Sequence, residues 1–151
     1  MTKLTQGQTK IKADNVIKVI GFDLDDTLWD VAPVIRSAEK TLSNWVISRF
    51  PQVKYGELQI KRARKKILQE NPAIGFQFTR MRKAILKEIF EAGLKDPLIA
   101  EKLSQEGVEI FIKARSEVDL YPGVERTLKE LAQKYELGII TNGNADITKL
   151  R

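Results

Sequence analysis

Residues 16–27 read Val-Ile-Lys-Val-Ile-Gly-Phe-Asp-Leu-Asp-Asp-Thr, an apolar run that ends in a group of acidic residues. The run from Val16 to Phe22 is rich in β-branched residues and carries one charge, which predicts a strand buried on both faces of a parallel sheet. Open α/β sheets bind their ligands beyond the carboxyl ends of the strands. Since side chains two residues apart in an extended chain point the same way, Asp23 and Asp25 are placed to meet one phosphate group.

A long helical region follows this stretch. From about residue 34 to residue 118, apolar residues recur at the three- and four-residue spacing of helices. The segment 97–115 predicts either one helix or two helices separated at Gly107. The cleanest apolar stripe in the region consists of Met81, Ile85, Leu86, Ile89 and Phe90.

The helical pattern gives way to a second short strand near the carboxyl end. A helix is predicted from Val124, and the apolar run from Leu137 to Ile140 ends in Thr141-Asn142-Gly143. The order of strand, helical insertion, helix and strand predicts an α/β fold, a βαβ unit interrupted by an all-helical module. The predicted parts are a flexible tail (1–15), a partial α/β core (16–33 and 119–151) and the helical insertion (34–118).

The composition excludes several kinds of chemistry. The sequence contains no cysteine and no histidine. Disulfides, thiolate or imidazole zinc sites and the commonest general base are therefore excluded, so any catalysis here must use carboxylates. No apolar run approaches the roughly 20 residues that span a bilayer, and we expect a soluble cytoplasmic protein with no membrane partner.

The net charge of +6 raises a second interpretation of function. Between Glu57 and Ala92 the sequence has nine basic and four acidic residues, so most of the excess lies in the helical region. A cationic surface of this kind could hold an acidic partner or RNA. Nucleic acid is not the expected partner, because the basic residues lack interleaved stacking aromatics and a known RNA-binding motif. For the basic residues between positions 61 and 66, an ordinary solvated helix face is the favoured explanation, and electrostatic steering of phosphorylated substrates is the functional alternative.

The acidic group at Asp23 also has structural interpretations. Aspartates often cap a turn or a following helix. A calcium-binding EF-hand loop is excluded, because that loop needs Gly at its sixth position and Glu at its twelfth, where this sequence has Leu28 and Val34. The tripeptide Thr141-Asn142-Gly143 is by itself equally typical of an ordinary turn.

Taken together, these segments resemble the haloacid dehalogenase superfamily of phosphohydrolases. The sequence Phe22-Asp23-Leu24-Asp25-Asp26-Thr27-Leu28 resembles its first motif, Asp-x-Asp-x-Thr after a hydrophobic strand, and Thr141-Asn142-Gly143 resembles its second motif. The helical insertion lies where that family has a small, C1-type cap. The resemblance implies a Rossmann-like core, of which this chain carries two parallel strands.

The resemblance also implies a two-step phosphoryl transfer. Asp23 would attack phosphorus to form an aspartyl phosphate, and Asp25 would protonate the leaving oxygen and later activate water. Mg²⁺ would lie between Asp23, the backbone carbonyl of Asp25 and the phosphate. The Thr141 hydroxyl and the Asn142 backbone N–H would bind phosphate oxygens.

The substrate implied by the resemblance is a small-molecule phosphate ester. Arg80 and Arg82 stand beside aromatic residues at the start of a predicted helix, and Trp29 follows the first motif, so these three are candidate substrate contacts. Packing against the core or the hinge is the favoured alternative for Trp29, and a solvated helix face explains Arg80 and Arg82 at least as well. The residues around both motifs look most like the bacterial branch that dephosphorylates flavin mononucleotide and flavin-pathway sugar phosphates.

The sequence departs from the family pattern at its carboxyl end. Family members carry a third motif with a lysine and a fourth motif with acidic residues that complete the Mg²⁺ site, whereas these residues end at Arg151 without either. We therefore expect weak stability and doubtful turnover from these 151 residues alone. Two hypotheses stay open: a Mg²⁺-dependent phosphatase, and a non-catalytic fragment or binding module with a basic helical surface. The oligomeric state is not predicted.

Overall fold

A computed structural model describes residues 16–144 and Thr148. The described residues form an α/β fold in which two short strands pair in parallel and a helical insertion separates them. Val19 lies opposite Glu136, and Phe22 lies opposite Ile139. The elements are β1 (Val19–Phe22), α1 (Val31–Arg49), α2 (Glu57–Glu70), a short 3₁₀ helix (Pro72–Phe76), α3 (Phe78–Leu94), α4 (Pro97–Arg115), α5 (Val124–Ala132) and β2 (Glu136–Ile139).

Aspartates set the starts of the two longest helices. The Asp30 carboxylate accepts a hydrogen bond from the Ala32 N–H at 2.9 Å, so α1 begins three residues before the predicted start at residue 34. Asp96 accepts from the backbone N–H groups of Leu98 and Ile99, both at 3.0 Å. The predicted tail (1–15) lies outside the described residues, and the division of the rest of the chain into core and cap stays a prediction.

The larger hydrophobic cluster lies within the helical insertion, where α1, α3 and α4 pack together, and a smaller cluster of Leu24, Trp29 and Val34 lies at the start of α1 beside the sheet. All five residues of the apolar stripe predicted for α3 are buried, which confirms that stripe. The rings of Trp45, Phe50 and Phe90 meet edge to face, with centroids 5.4–5.9 Å apart. Such aromatic pairs add to the stabilisation that burial already gives.

Gly107 does not interrupt α4, which runs unbroken from Pro97 to Arg115. The predicted alternative of two helices is therefore wrong. A methyl group added at Gly107 would lie 2.9 Å from Leu86 Cδ1 and 3.2 Å from Trp45 Cζ3. The glycine allows close packing of α4 against α3 and α1.

The first strand is shorter and more exposed than its sequence predicts. It begins at Val19 instead of Val16, and Val19 is 58% exposed. Burial on both faces is therefore wrong for the described residues, because the face that carries Val19 and Gly21 is exposed and the face that carries Ile20 and Phe22 is half-buried. Leu28, Val118, Leu128 and Leu137 help to line an apolar cavity of about 540 Å³ beside the strands.

No helix within the described residues 16–144 has the length and apolar character needed to cross a membrane.

Candidate active site

The two predicted motifs meet at the carboxyl edge of the sheet. The Ile140 N–H donates to the Phe22 carbonyl at 2.8 Å, one residue beyond the last pair of the strands. Asp23 follows β1 directly, and Thr141 follows Ile140. The parallel register thus brings the acidic group and the Thr-Asn-Gly tripeptide to the same edge.

Some aspartates in and after the first motif cap the next helix, whereas Asp23 is exposed and could contact a ligand. Asp26 adopts the left-handed region with φ of 57°, which aspartate tolerates better than most residues, and its Oδ1 accepts from the Val31 N–H at 3.0 Å. Together with Asp30 it caps the start of α1. Asp23 is exposed, and its Oδ1 accepts from the Leu24 N–H at 2.8 Å. The capping interpretation therefore holds for Asp26 and Asp30.

A tight turn after β1 brings Trp29 into contact with Asp25. The Leu28 N–H donates to the Leu24 carbonyl at 2.8 Å, and the Asp26 N–H donates to the Trp29 carbonyl at 2.8 Å. Trp29 also forms an antiparallel bridge with Leu120, on the segment that returns from α4. Since Trp29 is 1% exposed, its indole packs in the interior, and its role as a substrate contact stays a prediction.

Asp25 is held by two buried side chains. Its Oδ1 accepts from Trp29 Nε1 at 3.1 Å, and its Oδ2 accepts from Arg115 Nη2. Arg115 is the last residue of α4 and is 2% exposed. The side chain of Asp25 keeps 23% of its surface accessible. The carboxylate is thus fixed in direction while part of it stays open to the site.

Gly143 shows how closely the two motifs approach. A methyl group added there would lie 2.8 Å from Asp25 Oδ2, 3.3 Å from Thr141 Oγ1 and 3.4 Å from Arg115 Nη2. The Gly143 N–H donates to Thr141 Oγ1 at 3.1 Å. The carboxylate, the hydroxyl and the guanidinium therefore surround one point. Only a residue without a side chain fits there without displacing one of them.

The other predicted site residues lie further out. Asn142 is exposed in the loop after β2. Arg80 is exposed and donates to Gln77 Oε1 at 2.8 Å. Arg82 pairs with Glu39 at 2.7 Å, and its guanidinium lies 3.4 Å from the centroid of the Phe111 ring.

The start of α3 reaches the loop that follows β2. The Asn144 amide nitrogen lies 3.4 Å from Thr79 Oγ1, a contact between the sheet side and the helical side of the chain. Arg80 follows Thr79 directly, whereas the guanidinium of Arg82 is engaged within the helical insertion. The roles of both arginines, and of Asn142, as ligand contacts stay predictions.

Two tyrosines, Tyr55 in the helical insertion and Tyr121 near the first motif, have pKa values above the ordinary value of tyrosine. Burial, and then the charge of Glu39, raises the pKa of Tyr55 to about 12. Tyr55, Glu39, Arg82 and Phe78 help to line a cavity of about 200 Å³ inside the helical insertion. Near the first motif, desolvation raises the pKa of Tyr121, and the carboxylates of Asp30 and Asp26 raise it further.

The oxygen groups at the sheet edge suit a hard divalent cation. Mg²⁺ prefers oxygen ligands and is usually held by one or two carboxylates, waters and substrate phosphates. Asp23 offers an exposed carboxylate directly beyond β1, beside the backbone of Asp25. Within the described residues no three acidic side chains form a metal cluster, so these two residues would supply part of a coordination shell.

Sequence reasoning missed Arg115 and Gly143 as site residues. A basic residue at the end of a helix is ordinarily explained by its favourable interaction with the helix dipole. Asp25 and Arg115 are 90 positions apart in the chain, so no local pattern indicates their contact. The sequence indicates Gly143 only as the last residue of the second motif, without a role in the site.

The described residues thus form an α/β protein with a helical insertion after its first strand and an acidic group at the carboxyl edge of its sheet. The chain belongs to the haloacid dehalogenase-like hydrolase family, whose profile matches residues 17–151. This match confirms the predicted family.

Two known proteins are similar to the chain over most of its length. The 5-amino-6-(5-phospho-D-ribitylamino)uracil phosphatase YigB of Escherichia coli (strain K12) is 35% identical over 134 residues, which are 85% of this chain and 55% of that protein. The crystal structure of a 2-haloacid dehalogenase from Pseudomonas syringae pv. tomato DC3000 superposes with a TM-score of 0.81 at 37% identity, covering 89% of this chain. The chain spans 59% of that second protein, so it matches little more than half of either relative.

Proposed function

We propose that the protein is a Mg²⁺-dependent phosphatase that hydrolyses a small-molecule phosphate monoester through an aspartyl-phosphate intermediate. The supporting observation is the Asp25 carboxylate, fixed against the Thr141–Gly143 loop at the edge where Asp23 is exposed. A nucleophile and a separate proton donor at one sheet edge are what a two-step transfer of a phosphoryl group requires.

In the first step, an oxygen of Asp23 forms a bond to phosphorus as the ester P–O bond breaks. The leaving oxygen takes the proton of Asp25 and departs as an alcohol. In the second step, Asp25 accepts a proton from water as the water oxygen bonds to phosphorus. The bond from phosphorus to Asp23 breaks, which releases inorganic phosphate and restores both side chains.

The remaining groups of the site bind and neutralise the phosphate. The Thr141 hydroxyl, at the end of β2, can donate to a phosphate oxygen while it accepts from the Gly143 N–H. Asn142 would add its backbone N–H. The Asp23 carboxylate and the Asp25 backbone carbonyl would hold Mg²⁺, which would offset the negative charge that builds up on the phosphoryl oxygens.

The substrate class follows from the relative with the phosphatase name. That name specifies a phosphorylated ribitylaminouracil, which has a ring and a phosphorylated polyol chain. We propose an ester of this class, or flavin mononucleotide, as the substrate. The support within the chain is the contact between Thr79 and Asn144, by which the start of α3, with the exposed Arg80, lies beside the site.

The absence of cysteine is consistent with a cytoplasmic location.

Hydrolytic dehalogenation is the second candidate, because the similar crystal structure is named a 2-haloacid dehalogenase. A carboxylate nucleophile serves both reactions. A halide departs as a stable anion, whereas the alkoxide of an ester needs a proton as it leaves. The fixed carboxylate of Asp25 thus supports the phosphatase over the dehalogenase.

The basic helical surface offers less support for a binding module. Five of the nine basic residues between Glu57 and Ala92 form ion pairs with glutamates. Lys66, for example, contacts Glu88 at 2.8 Å, and the resulting hydrogen bond raises the pKa of that lysine. Part of the excess charge is therefore compensated within the fold.

The test is an assay of the protein as its gene encodes it, with and without Mg²⁺. Substrates are 4-nitrophenyl phosphate, flavin mononucleotide and the phosphorylated ribitylaminouracil, with release of phosphate as the measurement. Asp23→Asn should abolish turnover, with a loss of more than about 1,000-fold, because removal of a nucleophile removes the covalent route. Halide release from a 2-haloacid, measured in parallel, tests the second candidate.

An exposed aspartate outside the site provides the control. Asp119→Asn should leave turnover within about twofold of the unaltered protein, as expected of a surface substitution. Phosphate release that is equal in the unaltered protein and in Asp23→Asn would contradict the proposal. Halide release that depends on Asp23, without phosphate release, would favour the dehalogenase instead.

A further inference from the structure

Arg115 is an unusual residue in this fold. In the part of the chain that the structure describes, it is the only charged side chain that is buried. A guanidinium taken out of water is costly unless it is paired and hydrogen-bonded. The position therefore needs an explanation beyond packing.

The bonding of Arg115 is incomplete for a purely structural arginine. Nη2 donates to Asp25 Oδ2, while Nε and Nη1 have no hydrogen-bond partner among the described residues. Buried polar groups in native proteins are nearly always satisfied, and an apolar side chain of similar volume often stabilises a fold equally well. Stability alone does not account for an arginine here.

The contact has a definite geometric consequence for Asp25. Trp29 holds one carboxylate oxygen and Arg115 holds the other, and both holding groups are almost completely buried. Two fixed donors on different oxygens restrict rotation of the carboxyl plane. The direction in which Asp25 can deliver a proton is therefore set by residues that do not themselves face solvent.

We propose that Arg115 is a positioning residue, which with Trp29 orients Asp25 for proton transfer to the leaving oxygen. This role rests on the proposed phosphatase. Arg115 ends α4, which packs against α3, and α3 in turn contacts the site loop through Thr79 and Asn144. The orientation of the proton donor is thus tied to the position of the helical insertion.

The test compares esters with different needs for a proton. In Arg115→Met, kcat/KM for an alkyl ester such as glycerol phosphate should fall about 10–100-fold, because departure of an alkoxide depends on an oriented acid. For 4-nitrophenyl phosphate, whose phenolate departs without a proton, the loss should stay below about threefold. kcat/KM is the quantity compared, since it reports the first transfer and excludes hydrolysis of the intermediate.

Two further variants separate positioning from folding. Arg115→Lys keeps a charged donor and should restore part of the rate on the alkyl ester. Arg126→Met removes an exposed arginine on α5 and should change neither ester. Far-ultraviolet circular dichroism and thermal melting of each variant report whether the fold is kept.

Fluorescence gives a measurement that does not depend on turnover. Trp29 and Trp45 are the two tryptophans, so a Trp45→Phe background isolates Trp29. Arg115→Met should change the emission of Trp29, because its indole N–H shares the Asp25 carboxylate with Arg115. Asp23→Asn, which should block turnover, should leave that emission unchanged.

The outcomes distinguish the two proposals. Equal losses on both esters, or unchanged Trp29 emission in Arg115→Met, would overturn the positioning role and leave the phosphatase standing. Failure of the unaltered protein to release phosphate from any of these esters, or from flavin mononucleotide and the phosphorylated ribitylaminouracil, would overturn the phosphatase, and the role of Arg115 with it. A selective loss on the alkyl ester, with partial rescue by Arg115→Lys, supports both.

Discussion

The helical insertion and the two-stranded sheet differ in what they bury. Within the insertion, Phe90, Leu42 and Val46 have no exposed surface, and they belong to one continuous apolar cluster. In β2, Ile139 is 50% exposed, and Ile140, which directly follows the strand, is 75% exposed. The insertion thus supplies most of the burial in the described residues, while the sheet edge supplies the predicted nucleophile and phosphate-binding groups.

This difference indicates that the insertion supplies most of the stability, whereas the proposed chemistry belongs to the sheet edge. Burial of apolar surface is the dominant favourable contribution to folding, so the free energy of unfolding should depend mainly on α1, α3 and α4. In the proposed function, the carboxylates at the sheet edge contact a ligand, which requires them to stay accessible. The contact between Arg115 and Asp25 joins the two parts.

The sharpest test of this comparison removes a large side chain from each part. Phe90→Ala should lower the free energy of unfolding by about 3–5 kcal/mol, since it leaves a cavity at a fully buried ring that contacts Trp45 and Phe50. Ile139→Ala should cost less than about 1 kcal/mol, because half of that side chain is already in water. Chemical denaturation followed by circular dichroism measures both.

The comparison fails if the two substitutions cost the same. A large loss from Ile139→Ala would mean that the sheet is buried in solution, for instance against another part of the protein. Hydrogen exchange of the backbone amides offers a second measurement. Amides within α3 and α4 should exchange more slowly than those of β1 and β2.

A pair of glycine substitutions tests the same comparison with a smaller change. A methyl group at Gly107 meets Leu86 and Trp45 at 3.2 Å or less, whereas a methyl group at Gly138 in β2 meets nothing within 4 Å. Gly107→Ala should cost about 1–2 kcal/mol, as overpacking outweighs the gain of about 1 kcal/mol in helix propensity. Gly138→Ala should be neutral or stabilising by about 0.5 kcal/mol. A stabilising Gly107→Ala would mean that the three helices separate easily.

The sequence predicts the elements well where local pattern and environment agree. The apolar stripe of α3 is fully buried, and the order of strand, helices and strand is confirmed. The sequence does not predict the continuity of α4 at Gly107 or the exposure of β1, because both depend on the elements that pack against them. The local sequence does not distinguish a glycine that breaks a helix from a glycine that lets two helices pack closely. The burial of an apolar strand depends on which other elements cover it.

The sequence predicts those parts of the candidate site that are formed by residues close together in the chain. Asp23 and Thr141 lie at the carboxyl ends of paired strands, as expected from the two motifs. The separation of Asp25 from the capping aspartates Asp26 and Asp30 depends on a left-handed turn that composition does not show. Arg115 is beyond sequence reasoning, because its partner is fixed only when α4 returns to the sheet.

The smallest expected effect concerns charge on the surface of the insertion. Glu101 on α4 pairs with Lys83 at 2.8 Å and Lys87 at 2.9 Å, both on α3, and these hydrogen bonds lower the pKa of Glu101 to about 2. A carboxyl whose pKa is depressed by folding stabilises the fold above its unfolded pKa of about 4.3, and loses that contribution as the pH falls. Glu101→Gln should therefore lower Tm by less than about 3 °C at pH 7, since exposed ion pairs contribute little.

The pH dependence of that difference distinguishes the ion pairs from packing. The gap in Tm between the unaltered protein and Glu101→Gln should shrink below about pH 4.3, where the unfolded carboxyl becomes protonated, and close near pH 2. Glu125→Gln provides the comparison: the hydrogen bond from Lys129 lowers the pKa of Glu125 as well, but this pair lies within the single helix α5, so its gap in Tm should be smaller than that of Glu101→Gln at pH 7. A gap that widens on acidification would mean that Glu101 stabilises the contact of α3 with α4 through something other than its charge.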